Sequence, residues 1–169
     1  MKKKSPKMIA AGKKAAVTRK WRNAAKKAAH TARWATTMTK WLVTKTSVGT
    51  KWQLVEFTGP GGKESRGIVD VLAIRKDHST PNDGLKRGDL FEIILIQVKG
   101  GSAPWPTLDD IDRLRAVATH HRAKTVVLAE WKKGKQPTFY TLKKSFKRDS
   151  GHRNAWKEVT NVNELFTRP

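Results

Sequence analysis

The first acidic residue of the chain is Glu56, and the 55 positions before it carry 15 Lys and Arg. A segment charged with one sign repels itself in water, so it cannot collapse into a core of its own. It needs either a body to lean on or a partner of opposite charge. The other 114 residues hold 21 basic and 14 acidic side chains, so about 15 of the formal +22 charges lie in the first third. This asymmetry divides the chain into a basic arm over 1–23, a domain over 24–142 and a basic C-terminal extension over 143–169. A polyanion is the expected partner. The chain has no cysteine, which excludes disulfides, thiol nucleophiles and Cys-containing zinc sites. No apolar run reaches the roughly 18 to 20 residues of a membrane helix, and no signal-peptide pattern follows the basic N-terminus. The expectation is therefore a cytoplasmic, nucleoid-associated protein without a membrane partner, with a homodimer left open.

The arm repeats itself. Ala11-Gly-Lys-Lys-Ala-Ala-Val-Thr-Arg-Lys-Trp21 recurs thirteen residues later as Ala24-Ala-Lys-Lys-Ala-Ala-His-Thr-Ala-Arg-Trp34, with seven of eleven positions identical. Ala and Lys favour helix, yet the like charges oppose it, so residues 1 to about 23 are expected to be a helix conditional on phosphate. Lys13, Lys14, Arg19, Lys20, Arg22, Lys26, Lys27 and Arg33 are the expected backbone contacts there, with Lys143 and Lys144 as a second stretch. Beyond Ala24, Trp34, Met38, Trp41 and Leu42 fall on one helical stripe, predicted to dock on the core. The opposite face, with Lys26, Lys27, Arg33 and Lys40, remains available to phosphate.

From Trp52 the period shifts towards two. The pattern predicts strands over 52–57, 67–74 and 90–99, with a loop over 58–65 and a long turn containing Pro81-Asn-Asp-Gly84. Thr107 caps a helix whose first turn carries Asp109, Asp110 and Asp112, and which buries Leu108, Ile111 and Leu114. Strands over 125–131 and 138–142 follow. The order α-β-β-β-α-β-β implies an α/β fold, a mixed central sheet flanked by helices, with a basic helical N-terminal extension.

Asp70 lies inside the apolar run Ile68–Ile74, where an unpaired carboxylate is costly to bury. In the third strand, Gln97 and Lys99 share a face by alternation. Brought beside Asp70, they make a site for a divalent cation: a carboxylate, an amide oxygen, the carbonyl of Val98, and an ammonium to orient a water. The alternative is a purely structural Asp70 to Lys99 ion pair. His78, His120, His121 and His152 have no spacing that gathers a metal or a hydrolase triad.

Gly67-Ile-Val-Asp70 on one strand and Gln97-Val-Lys99-Gly100-Gly101 at the end of the next, followed by a helix and a buried strand, resemble the core of PD-(D/E)xK nucleases, including the Holliday-junction resolvase type. The resemblance covers roughly residues 24–142. It implies a Mg²⁺- or Mn²⁺-dependent endonuclease acting on DNA, with Asp70, Gln97 and the Val98 carbonyl holding the metal and Lys99 positioning the attacking water. Gln97 stands where the family carries Glu, and residues 1–55 lack the acid that many members place in the first helix. Glu56 or Glu64 would have to substitute. A non-catalytic DNA-binding or DNA-compacting descendant and an RNA-binding protein of ribosomal type are the alternatives.

Overall fold

The computed structural model describes residues 6–47, 51–57, 67–79 and 84–167. The loop around Glu64 and the Pro81-Asn-Asp turn lie outside the described residues. The elements are α1 (Pro6–Thr46), β1 (Gln53–Glu56), β2 (Val71–Lys76), β3 (Phe91–Gly100), α2 (Leu108–His120), β4 (Thr125–Trp131), β5 (Thr138–Leu142), β6 (Trp156–Val159) and α3 (Asn163–Phe166). They form one six-stranded sheet in sequential order. All neighbours are antiparallel except β3 and β4, which run parallel. A parallel pair needs a crossover, and α2 supplies it.

β3 shows why two layers are required. Ile94 and Ile96 point to the face covered by α1, where they pack with Ala35, Val43, Val71 and Val127. Leu95 points to the other face, where it packs with Leu128 and with Ile111 and Leu114 of α2. Burying each such side chain stabilises the fold by about 1.5–3 kcal/mol. The helix α2 starts where its sequence says it should: Thr107 accepts from the Asp110 amide, and the Asp110 carboxylate accepts from the Thr107 amide.

Three expectations need correcting. First, α1 is one unbroken helix across the expected boundary at 23/24. Every described side chain from Lys13 to His30 is exposed, and contact with the body begins at Thr31. Second, its docked stripe is built of smaller residues: Ala35, Thr39 and Val43 are buried, with Met38 and Leu42 packed beside them. Trp34 sits at the stripe's edge, 43% exposed, its ring 5.4 Å from that of Trp131. Trp41 lies off the stripe, with the Lys45 ammonium 4.5 Å above it. A helix crossing a sheet at close range has room for Ala and Thr in the middle and for indoles only at the rim.

Third, residues 143–167 are part of the sheet and core, not an appended tail. β6 pairs with β5, and Trp156 and Phe166 are buried. The Phe166 carbonyl accepts from Trp52 Nε1 at 2.8 Å and from the buried Arg75 at 3.2 Å. Arg75 is neutralised by Glu92, at 2.5 Å across the β2–β3 pair. Burial raises the Glu92 carboxyl, but hydrogen bonds from Arg75 and Lys124 outweigh this and hold it below its ordinary value.

Candidate functional site

Asp70 is the residue just ahead of β2. Its amide donates to the Ile96 carbonyl at 3.0 Å, although the ladder pairs Ile96 with Val71, so Asp70 and Val71 together oppose one residue of β3. This is a β-bulge, a device that ends pairing and re-aims a side chain. The re-aimed carboxylate accepts from the Val98 amide through Oδ2 at 2.6 Å. Asp70 thereby brackets Gln97, bonding the strand on either side of it. Amide and carbonyl of one strand residue point the same way, so the Val98 carbonyl is directed to the edge where the Asp70 carboxylate lies.

Gln97 and Lys99 follow Leu95 onto the α2 face. Gln97 is 6% exposed, and its Oε1 is buried without a hydrogen-bond partner among the described residues. A buried amide oxygen without a donor is uncommon and calls for an explanation, such as an ordered water or a cation. The Lys99 charge reaches the N-terminus of α2. Burial raises the Asp110 carboxyl, yet hydrogen bonds from Thr107 and the charges of Lys99 and Arg113 hold it below its ordinary value.

Glu56 does not join this group. It pairs with Val71 in the ladder and forms an ion pair with Lys40 of α1, on the face of the sheet opposite to Gln97 and Lys99. Lys40 is therefore occupied within the protein. Among the described residues no three His, Asp or Glu side chains gather as metal ligands. A divalent cation here would have to be held by the Asp70 carboxylate, Gln97 Oε1 and the Val98 carbonyl, an oxygen set of low charge, completed by water as hard cations allow.

Two carboxylates beside Lys99 went unread in the sequence. Asp110 is one. Glu130 is the other: it is the register partner of Lys99 on β4 and is buried. Its Oε1 accepts from Trp105 Nε1 at 2.8 Å and pairs with Lys132 at 3.0 Å. Burial raises the Glu130 carboxyl; the Trp105 and Lys132 hydrogen bonds and the charges of Lys132 and Arg153 bring it below its ordinary value. A carboxylate in an apolar strand was the signal at Asp70, and Thr125–Trp131 carries the same one.

The arm leaves the body over the end of β3, on the face of the sheet opposite to Gln97 and Lys99. A Cβ on Gly100 would meet the Thr31 carbonyl oxygen at 3.0 Å and the Ala35 Cβ at 3.1 Å, so glycine is what lets α1 pass over the end of β3, one residue beyond Lys99. From Thr31 back to Lys13 the helix projects with every described side chain before Thr31 exposed, over about 27 Å at 1.5 Å per residue. It carries the exposed side chains of Lys13, Lys14, Arg19, Lys20, Arg22, Lys26 and Lys27, and Arg33 is exposed at its base. Lys143 and Lys144 are also exposed, whereas Arg148 is drawn to α2, 2.9 Å from Asp112 and 3.7 Å from Asp109. No described helix is long and apolar enough to cross a membrane. Comparison with family models, curated proteins and solved structures finds no match to this chain.

Proposed function

We propose that this protein binds DNA through its helical arm and hydrolyses a phosphodiester at the edge formed by Asp70, Gln97 and Lys99, with one divalent cation, Mg²⁺ or Mn²⁺. The observation that carries this reading is the buried Gln97 Oε1 without a hydrogen-bond partner among the described residues, on a strand that Asp70 bonds at the residues on either side of Gln97. Gln97 lies three strand residues before Gly100, where the cationic helix α1 leaves the body over the other face of the sheet. Bound there, the cation would supply positive charge to the scissile phosphate and lower the pKa of a water. Asp70 brings the negative charge that attracts the cation, and Gln97 and Val98 turn neutral oxygens towards it. The Lys99 ammonium donates to a phosphate oxygen or to the incoming water. Water oxygen bonds to phosphorus and gives up a proton to solvent, the bond to the leaving oxygen breaks, and that oxygen takes up a proton from solvent.

Incubation of supercoiled, linear and four-way-junction DNA with and without Mg²⁺ or Mn²⁺ tests this directly. Asp70→Ala and Lys99→Ala are expected to abolish divalent-dependent cleavage while retaining DNA affinity within severalfold. Cleavage that survives both substitutions removes the site. The placement of Glu56 on the far face, bonded to Lys40, favours a second reading in which the same fold binds DNA without cutting it. Gln97→Glu separates the two, because metal affinity rises with ligand charge. A working site reaches half-maximal cleavage at lower Mg²⁺, whereas a binding-only site gains metal affinity and no turnover.

A further inference from the structure

Resting on the reading of the partner as DNA, we infer that the projecting half of α1 is a major-groove helix, selective for B-form DNA over A-form RNA, with Trp21 at its contact face. Val17, Trp21, Ala24 and Ala28 follow one another at steps of four, three and four, so they form a single narrow seam on one side of the helix. Val17 is 54% exposed and Trp21 72% exposed. The next steps of three and four reach Thr31, Ala35, Met38 and Leu42, so this seam continues the face by which α1 packs on the sheet. The repeat makes the same point: Trp34, the second copy's indole, meets Trp131, whereas Trp21, the first copy's equivalent, projects into solvent.

The charge around the seam says what covers it. At about 100° per residue, Lys13, Lys20 and Lys27 line one flank, Lys14 the other with Arg22 behind it, and Arg19 and Lys26 the back. A flat anionic surface needs cations on one side only. A groove with phosphates along both walls needs them on both, with small or apolar residues facing its floor. The major groove of B-DNA is about 12 Å wide and admits a helix, and its thymine methyls accept apolar contact. The major groove of A-form RNA is deep and narrow and does not. A second copy of this helix on the seam would set lysine flank against lysine flank.

The test is equilibrium binding of the full chain in EDTA, so that it does not depend on cleavage. Duplex DNA of about two turns is expected to bind about tenfold or more tighter than RNA duplex of the same sequence. Methyl green, a major-groove ligand, should compete, and netropsin, a minor-groove ligand, should not. Trp21→Ala should weaken DNA binding about fivefold or more, with Trp21→Phe recovering most of the loss, while leaving the salt dependence unchanged. Lys20→Ala should instead reduce the log–log salt slope by about 0.9. Equal affinity for the RNA duplex, displacement by netropsin, or unchanged affinity of Trp21→Ala each overturns the inference. Retained Mg²⁺-dependent cleavage in such a case would leave the proposed function standing. Failure to bind any nucleic acid would remove both.

Discussion

The two halves of α1 share one seam and differ in what lies across it. From Thr31 to Thr46 the seam faces the sheet, and Ala35, Thr39 and Val43 are buried there. From Lys13 to His30 the same register of Val, Trp and Ala faces water, with cations on every side. The projecting half, rich in Ala, Lys and Arg, has the higher helix propensity and the docked half holds six Thr, so propensity does not explain which half docks. The docked half is held by packing, including the 2.7 Å hydrogen bond from Trp131 Nε1 to Thr39 Oγ1. The projecting half is exposed over its described side chains from Lys13 to His30 and propagates from a docked helix, which spares it the cost of nucleation. A charged segment can therefore be helical before it meets a ligand, provided something else has started the helix.

The largest expected effect separates the halves by ligand affinity. Removing residues 1–23 deletes nine basic groups. Each phosphate neutralised contributes about −0.9 to the log–log salt slope, so the slope should flatten by several units, with affinity falling about 10³-fold or more at low salt. Thermal stability should hardly change, because every described side chain from Lys13 to Asn23 is exposed. A fluorescence-anisotropy salt titration and a melting curve of the same protein check the two halves of this statement. An unchanged slope would mean that the arm does not hold the phosphates.

Where sequence patterns succeeded and failed along the chain follows the same division between local and cross-chain physics. The strands Thr125–Trp131 and Thr138–Leu142 and the Thr107 cap are encoded by neighbours in sequence, and the expected and observed bounds coincide. Residues whose role depends on a distant partner are harder to place. Glu56 carries no local sign that β1 would turn it towards Lys40 rather than towards Gln97. The apolar run from Gly67 hides that pairing begins at Val71, because the Asp70 side chain takes the Val98 amide in place of a backbone group. The lysines after Leu142 obscure Trp156 and Phe166, which fix that segment in the core. At the candidate site, Asp70, Gln97 and Lys99 are legible from period and burial cost. Asp110 and Glu130 come beside Lys99 only through the α2 crossover and the parallel register of β4.

A middle-sized effect contrasts two indoles. Trp131 is buried where α1 crosses β4, touching Trp34 and bonding Thr39. Trp131→Ala should cost about 3–5 kcal/mol of unfolding free energy, as large-to-small changes at buried aromatics do. Trp21→Ala should cost within about 0.5 kcal/mol, as substitutions at exposed positions do. Urea denaturation of both variants measures this. A loss at Trp21 as large as that at Trp131 would mean that the two halves of α1 are packed alike.

The smallest expected effect lies at the junction itself. Gly100 is where the strand end and the helix come closest, and the nearest atom to an added Cβ is a backbone carbonyl oxygen, which cannot rotate away as a side chain would. Gly100→Ala must therefore displace α1 by a few tenths of an ångström at Thr31, at a cost of about 1–3 kcal/mol for an overpacked contact. Gly134→Ala is the control. That position has φ +73° and no neighbour within 4 Å of the added Cβ, so its cost is backbone strain alone and it leaves α1 in place. The two variants are separated by amide hydrogen exchange rather than by stability. Gly100→Ala should speed exchange in α1 around Thr31–Ala35, and Gly134→Ala should slow or speed nothing there. If Gly100→Ala leaves those amides protected and stability within about 0.5 kcal/mol of the parent, the helix is not seated on the end of β3, and the arm does not leave the body there.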